Sequence, residues 1–150
     1  MTNTTRLVDA SAAAVFDVLT DIDGLPAWND VIESVVERPD TLTPGAQWVV
    51  RLKAMGRSWN SRSTVMSCDD GARFAYRSQT DDGNPSWVDW VWTVQEDGDG
   101  CLVTVTYELH PVTFWRRILF ARIRSRQLAR TEVPRSLDAL SAAARQSVTR

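Results

Sequence analysis

Histidine occurs once and cysteine twice in these 150 residues, and that scarcity removes several kinds of chemistry. Cys68 and Cys101 lie far apart, neither belongs to a CxxC pair, and His110 completes no zinc set with them. A zinc or iron–sulfur centre is therefore not expected. EF-hand-like Asp/Gly spacing is missing as well, and the reading calls for neither metal nor cofactor. Long apolar runs are absent: the longest, Ala12 to Phe16, falls far short of the roughly 20 residues that cross a bilayer. No charged-then-apolar N-terminus precedes a cleavage-like site, so the expected location is the cytoplasm. There is no internal repeat and no low-complexity linker, and one domain over residues 1–150 is expected.

What is present is a soluble, globular composition with 43% hydrophobic residues and seven tryptophans. Residues 3–9 read as an opening strand. Ser11 suits the N-cap of a short helix through Leu19, because its hydroxyl can accept from a first-turn amide. Asp21-Ile22-Asp23-Gly24 breaks that helix, and Leu25-Pro26-Ala27-Trp28 starts a second, with Pro26 where a missing N–H costs nothing. The period then changes to two. Strands are expected near 31–38, 45–54, 57–68, 72–79, 86–96 and 101–109, separated by Asp-, Gly- and Pro-rich turns. Such short connections favour antiparallel neighbours.

Alternation is clearest in the last two strands. Val88, Trp90, Trp92 and Val94 share one face, as do Val103, Val105, Tyr107 and Leu109, while polar residues occupy the other. The cover for the apolar face is the segment from 113 to about 147. There Phe114, Ile118, Ala121, Ser125, Ala129, Val133, Leu137, Leu140 and Ala144 step at helical spacing. Pro134 is expected to kink or divide that helix.

This order of elements resembles the START-like superfamily (SRPBCC), and within it the polyketide cyclase/dehydrase-like proteins. The stretch from Ser11 to Trp28, with its Val-Phe helix followed by Asp and Trp, is similar to the family's opening. Trp90-Val-Trp-Thr-Val94, the Gly100 turn and Val103-Thr-Val-Thr-Tyr107 resemble its final hairpin, and Ser136-Leu137-Asp-Ala-Leu140 its closing helix. The resemblance covers essentially the whole chain. It implies an α+β helix-grip fold: a curved antiparallel sheet wrapped around a long C-terminal helix, with two short N-terminal helices and a cavity between. It implies no particular reaction, since the superfamily holds carriers, cyclases and interaction modules alike.

Trp90 and Trp92 supply large walls on the inner face, and Tyr76 and Tyr107 add one hydroxyl each, a composition suited to a small-molecule pocket. The bland alternative is that these aromatics fill the core. Ser125 and Ala129 favour a cavity, because they put small side chains mid-helix where a filled core would want leucine. The faces of Trp48 and Trp59 are ambiguous.

Catalysis would need an acid or base. His110 is the one group that titrates near neutrality without help, yet a histidine at a strand end before Pro111 is more often exposed or backbone-capping. Asp89 alternates onto the wet face. Arg51, Arg62 and Arg77 could anchor a carboxylate or enolate, given their permanent charge. No Ser–His–Asp order, phosphate loop, dinucleotide fingerprint or HExxH motif occurs.

Charge is divided unevenly, −9 over residues 1–110 and +7 over 111–150. Much of the basic excess is Arg116, Arg117, Arg122, Arg124, Arg126, Arg130 and Arg135, interleaved with Trp115 and Phe120. A contact for anionic lipid or nucleic acid is one reading. The arginines spread over more than half the helix circumference, however, which suits a solvated helix beside acidic strand edges. Leu119, Phe120 and Ile123 lie off the main stripe and need a second partner: loops at the pocket mouth, another subunit in a homodimer, or a lipid surface.

The leading expectation is therefore a non-catalytic binder of a hydrophobic or aromatic small molecule, lipid or polyketide-like. The alternatives are a polyketide-type cyclase/dehydratase and a membrane- or macromolecule-interaction module using the arginine-rich segment.

Overall fold

The computed structural model describes residues 2–54, 56–80, 86–110 and 133–148. Seven strands form one antiparallel sheet: β1 (Thr2–Val8), β2 (Ile32–Glu37), β3 (Gln47–Ala54), β4 (Arg57–Asp69), β5 (Arg73–Thr80), β6 (Trp87–Asp97) and β7 (Gly100–His110). Their order across the sheet is β1-β7-β6-β5-β4-β3-β2. From β2 to β7 the chain makes successive hairpin neighbours, as the short turns require. The first strand instead pairs with the last, Thr2 opposite Tyr107 and Val8 opposite Cys101.

The connection from β1 to β2 must therefore travel from one edge of the sheet to the other. It does so through α1 (Ala12–Thr20), a single 3-10 turn (Ile22–Gly24) and α2 (Leu25–Trp28). Ser11 caps α1 as expected, its Oγ accepting from Ala14 N at 3.1 Å. A second orphan donor, Ala12 N, is satisfied at 3.0 Å by Glu96 Oε1 at the far end of β6. Leu25 and Trp28 of α2 are buried, with Pro26 in the first turn.

The C-terminal helix α3 (Val133–Val148) covers the same face. Val133, Leu137, Leu140 and Ala144 are buried at the predicted three- and four-residue spacing. Pro134 lies at the first described turn of this helix, and the kink or division expected there involves residues outside the described ones. The rest of the expected helix, upstream of Val133, lies outside the described residues. An Arg6–Asp138 ion pair ties α3 to the first strand. The result is the helix-grip α+β fold, with a core between the sheet's inner face and the helices.

Irregularities bend the sheet. In β4, Val65 pairs with Tyr76 and Ser67 with Ala75, which leaves Met66 without a strand partner and 52% exposed. Such a bulge bends its strand and increases the local twist. It also re-phases the alternation, so that Val65 and Cys68 both pack toward the core. The β2–β3 pairing shifts register twice more.

Candidate functional site

The strands β3 to β6, α2 and the start of α3 enclose a cavity of about 100 Å³. Strand alternation selects its walls. From β5 come Phe74, Tyr76 and Ser78; from β6, Trp90 and Trp92; from β4, Ser61 and Ser63; from β3, Trp48, Val50 and Leu52. The helical side supplies Leu19, Ile22, Leu25, Trp28, Val133 and Ser136; Asn29 and Val31 come from the connection before β2, and Ile32 from its first position.

The aromatic walls are held by one another. Trp48 lies 5.7 Å from Phe74 in a stacked arrangement and 4.9 Å from Tyr76 edge-on. Tyr76 stacks on Trp90 at 6.3 Å, and Trp28 meets Trp92 at 6.0 Å and 89°. Offset-stacked and edge-to-face pairs like these are each worth about 0.5–1.5 kcal/mol beyond the area they bury.

Two indole N–H groups are tied down on one repeated diagonal of the β5–β6 ladder. Tyr76 is opposite Trp90 and Phe74 opposite Trp92. Each indole reaches the inward residue two positions further along β5. Trp90 Nε1 donates to Ser78 Oγ at 3.0 Å, and Trp92 Nε1 donates to Tyr76 Oη at 3.2 Å. Trp28 Nε1, by contrast, is buried with no hydrogen-bond partner among the described residues.

No ionised side chain is among the described lining residues. The titratable group among them is Tyr76, whose hydroxyl burial pushes up to about 12, with the Trp92 hydrogen bond opposing. Tyr76 retains some accessible surface despite its dense surroundings, and because the residue lines the cavity, that surface is cavity wall.

Tyr76, Trp90 and Trp92 thus stand in the cavity wall. Tyr107 does not: it is 1% exposed, tilted against Trp90 at 5.4 Å, and is not among the lining residues. It forms packing behind the wall. Ser125 and Ala129, and the arginines from Arg116 to Arg130, lie outside the described residues. Arg135 pairs with Asp30 at 3.4 Å.

The three arginines read as anionic anchors face away from the cavity, because each alternates with inward neighbours. Arg51 sits between Val50 and Leu52 and pairs with Glu33 at 3.1 Å. Arg62 sits between Ser61 and Ser63 and reaches Glu37 at 3.4 Å. Val49, opposite both Glu37 and Arg62, is buried as well. Arg77, between Tyr76 and Ser78, is held by Asp89 through two hydrogen bonds, 2.7 and 3.1 Å.

His110 belongs to that outer cluster. Its ring stacks on Trp87 at 4.9 Å, and Nε2 lies 3.3 Å from Asp89 Oδ2 and 3.6 Å from Glu108 Oε2. Arg77 covers the same indole at 4.8 Å. Burial alone would raise the Asp89 carboxyl, but the Arg77 hydrogen bonds and charge outweigh it and hold the group below its ordinary 3.8.

A depressed carboxylate contributes stability above the unfolded pKa and loses it as pH falls through the folded value. Asp89→Asn is therefore expected to be less stable than wild type at pH 7. The gap should close in acid, below about pH 4. Urea unfolding at pH 7 and pH 3 checks this, and an equal gap at both would contradict it.

The sequence reading missed Trp28, Phe74, Ser78, Ser61 and Ser63. Phe74 and Ser78 were within reach of period-two counting from Tyr76. Ser61 and Ser63 gave no apolar signal, and Trp28 sits in a helix of only four residues.

Residues 2–145 match the family model for polyketide cyclase / dehydrase and lipid transport. The chain belongs to that family. A search of curated proteins finds no match. Among solved structures, this family member superposes on a START superfamily protein from Mycobacterium smegmatis over 97% of each chain, with TM-score 0.72 and 18% identity. TTHA0849 from Thermus thermophilus is similar over 97% of each chain, with TM-score 0.64 and 24% identity. The di-domain ARO/CYC StfQ, from the steffimycin biosynthetic pathway, matches 99% of this chain and 51% of its own, with TM-score 0.79 and 13% identity. The chain thus spans about half of that di-domain protein. The family match thus places the chain among the polyketide cyclase / dehydrase and lipid transport proteins, and these neighbours share its fold.

Proposed function

We propose that the chain binds a hydrophobic or aromatic small molecule, lipid or polyketide-like, in this cavity and does not convert it. The observation that carries the reading is an aromatic wall of Trp48, Phe74, Tyr76, Trp90 and Trp92 with no ionised side chain among the described lining residues. A charged ligand entering there would lose hydration without an ionised partner among the described lining residues, whereas apolar surface gains about 25 cal/mol per Å² buried. The cavity, at about 100 Å³, is comparable with the roughly 150 Å³ apolar cavity that holds benzene. A single-ring body is of this size.

The cyclase/dehydratase alternative requires a proton-moving group beside the substrate. His110, Arg51, Arg62 and Arg77 stand on the outer face, and a tyrosine at about 12 donates hydrogen bonds at neutral pH but is a poor base. Binding without turnover is the simpler use of these residues.

Native mass spectrometry of the purified protein, compared with its denatured mass, tests the reading. A retained non-covalent adduct is the expected result, and its mass identifies the ligand class. A bare mass, together with no saturable change in tryptophan fluorescence on adding small aromatic ketones, would count against a binding cavity.

A further inference from the structure

The Tyr76 hydroxyl has one of its two roles taken. Its oxygen accepts from Trp92 Nε1 at 3.2 Å, while its own proton meets no acceptor among the described residues. A hydroxyl can donate one hydrogen bond and accept two, and a buried donor without a partner is costly. Trp92 is itself fixed, edge-on against Trp28 and opposite Phe74 in the ladder. The indole therefore sets the rotation of the phenol oxygen and leaves its O–H free for an occupant. Trp90, whose N–H is consumed by Ser78, offers that occupant only ring surface.

We propose that the cavity selects uncharged aromatic ligands bearing a carbonyl- or ether-type oxygen, recognised by a hydrogen bond donated from Tyr76 Oη and oriented by Trp92. This rests on the cavity being the binding site. Selection works in two directions. An acceptor-free hydrocarbon leaves the Tyr76 proton unpaired. A carboxylate meets no cationic side chain among the described lining residues, so its desolvation costs more than that of a neutral ligand. Burial pushes the Tyr76 hydroxyl up to about 12, so it keeps its proton at neutral pH.

Three probes of similar shape separate these effects: acetophenone (neutral, with an acceptor), ethylbenzene (neutral, without one) and benzoate (anionic). Calorimetry or ligand-observed NMR at neutral pH is expected to rank acetophenone about tenfold tighter than ethylbenzene, the size of one net hydrogen bond. Benzoate is expected to bind more weakly than either. In Tyr76→Phe, the preference for acetophenone over ethylbenzene should be lost.

Equal affinity of acetophenone and ethylbenzene for the wild type overturns the proposal and leaves cavity binding intact. So does a preference that survives in Tyr76→Phe. If neither neutral probe binds, the binding reading fails and takes this one with it. The wild-type ratio alone is decisive should the variant fold poorly.

Discussion

Replacing Tyr107 with alanine is expected to destabilise the fold by about 3–5 kcal/mol, the range for truncating a buried aromatic side chain. Tyr107 is 1% exposed and lies in β7 between Thr2 of β1 and Trp90 of β6. Its ring supports the indole of Trp90 at 5.4 Å. Close-packed neighbours relax only partly into the space left behind, so the loss combines transfer energy with a void. At about 2–4 °C per kcal/mol for a chain of this size, the thermal midpoint should fall by roughly 6–20 °C. Urea unfolding checks the free energy directly. A loss under about 1 kcal/mol would mean that the ring borders open space, which would make Tyr107 part of the ligand wall instead of its backing.

Gly100→Ala is expected to be comparably damaging for a backbone reason. A Cβ at that position would stand 2.3 Å from the Val8 carbonyl oxygen and 3.3 Å from its carbon. Val8 closes the β1–β7 ladder opposite Cys101. Gly100 also ends the β6–β7 hairpin, opposite Asp97, across a two-residue loop whose Gly98 takes φ +62°. The obstacle is main chain on a paired strand, so no rotamer change relieves it. The strand end must part from β7, and about 3 kcal/mol or more is expected to be lost. A thermal midpoint within a degree or two of wild type would show that β1 moves aside freely.

Most of the framework was legible because the relevant signals are local. The turn residues place the hairpins, the Ser11 cap and Pro26 place the short helices, and period-two patterning in β6 and β7 separates wall from surface. The arginines could not be resolved in the same way. Arg51 and Arg62 belong to β3 and β4, where three consecutive residues, Trp48, Val49 and Val50, are buried and the Met66 bulge re-phases the alternation. Val49 is buried although its neighbours across the strands, Glu37 and Arg62, are charged, a relation that only the register reveals. Arg77 was within reach of counting from Tyr76, but its bond to Asp89 depends on strand pairing. Ser61 and Ser63 show the reverse problem: a small polar residue at an inward position looks like surface. Tyr107 was assigned to the right face, yet depth behind Trp90 is a matter of packing that no periodicity encodes.

The pairing of the first strand with the last has a consequence in time. Thr2 finds Tyr107, and Val8 finds Cys101, only after the intervening hundred or so residues exist. At about 5–20 residues per second of synthesis, β1 waits roughly 5–20 seconds for its partner, whereas each later hairpin has its neighbour at hand almost at once. The meander from β2 to β7 can therefore assemble first, with β7 as a temporary open edge, a surface prone to pairing with other chains. β1 then closes that edge, and the slow, long-range step of folding is delegated to the N-terminus. An extension that delays or occludes residues 2–8 would act on the yield of folded protein before it altered anything in the cavity.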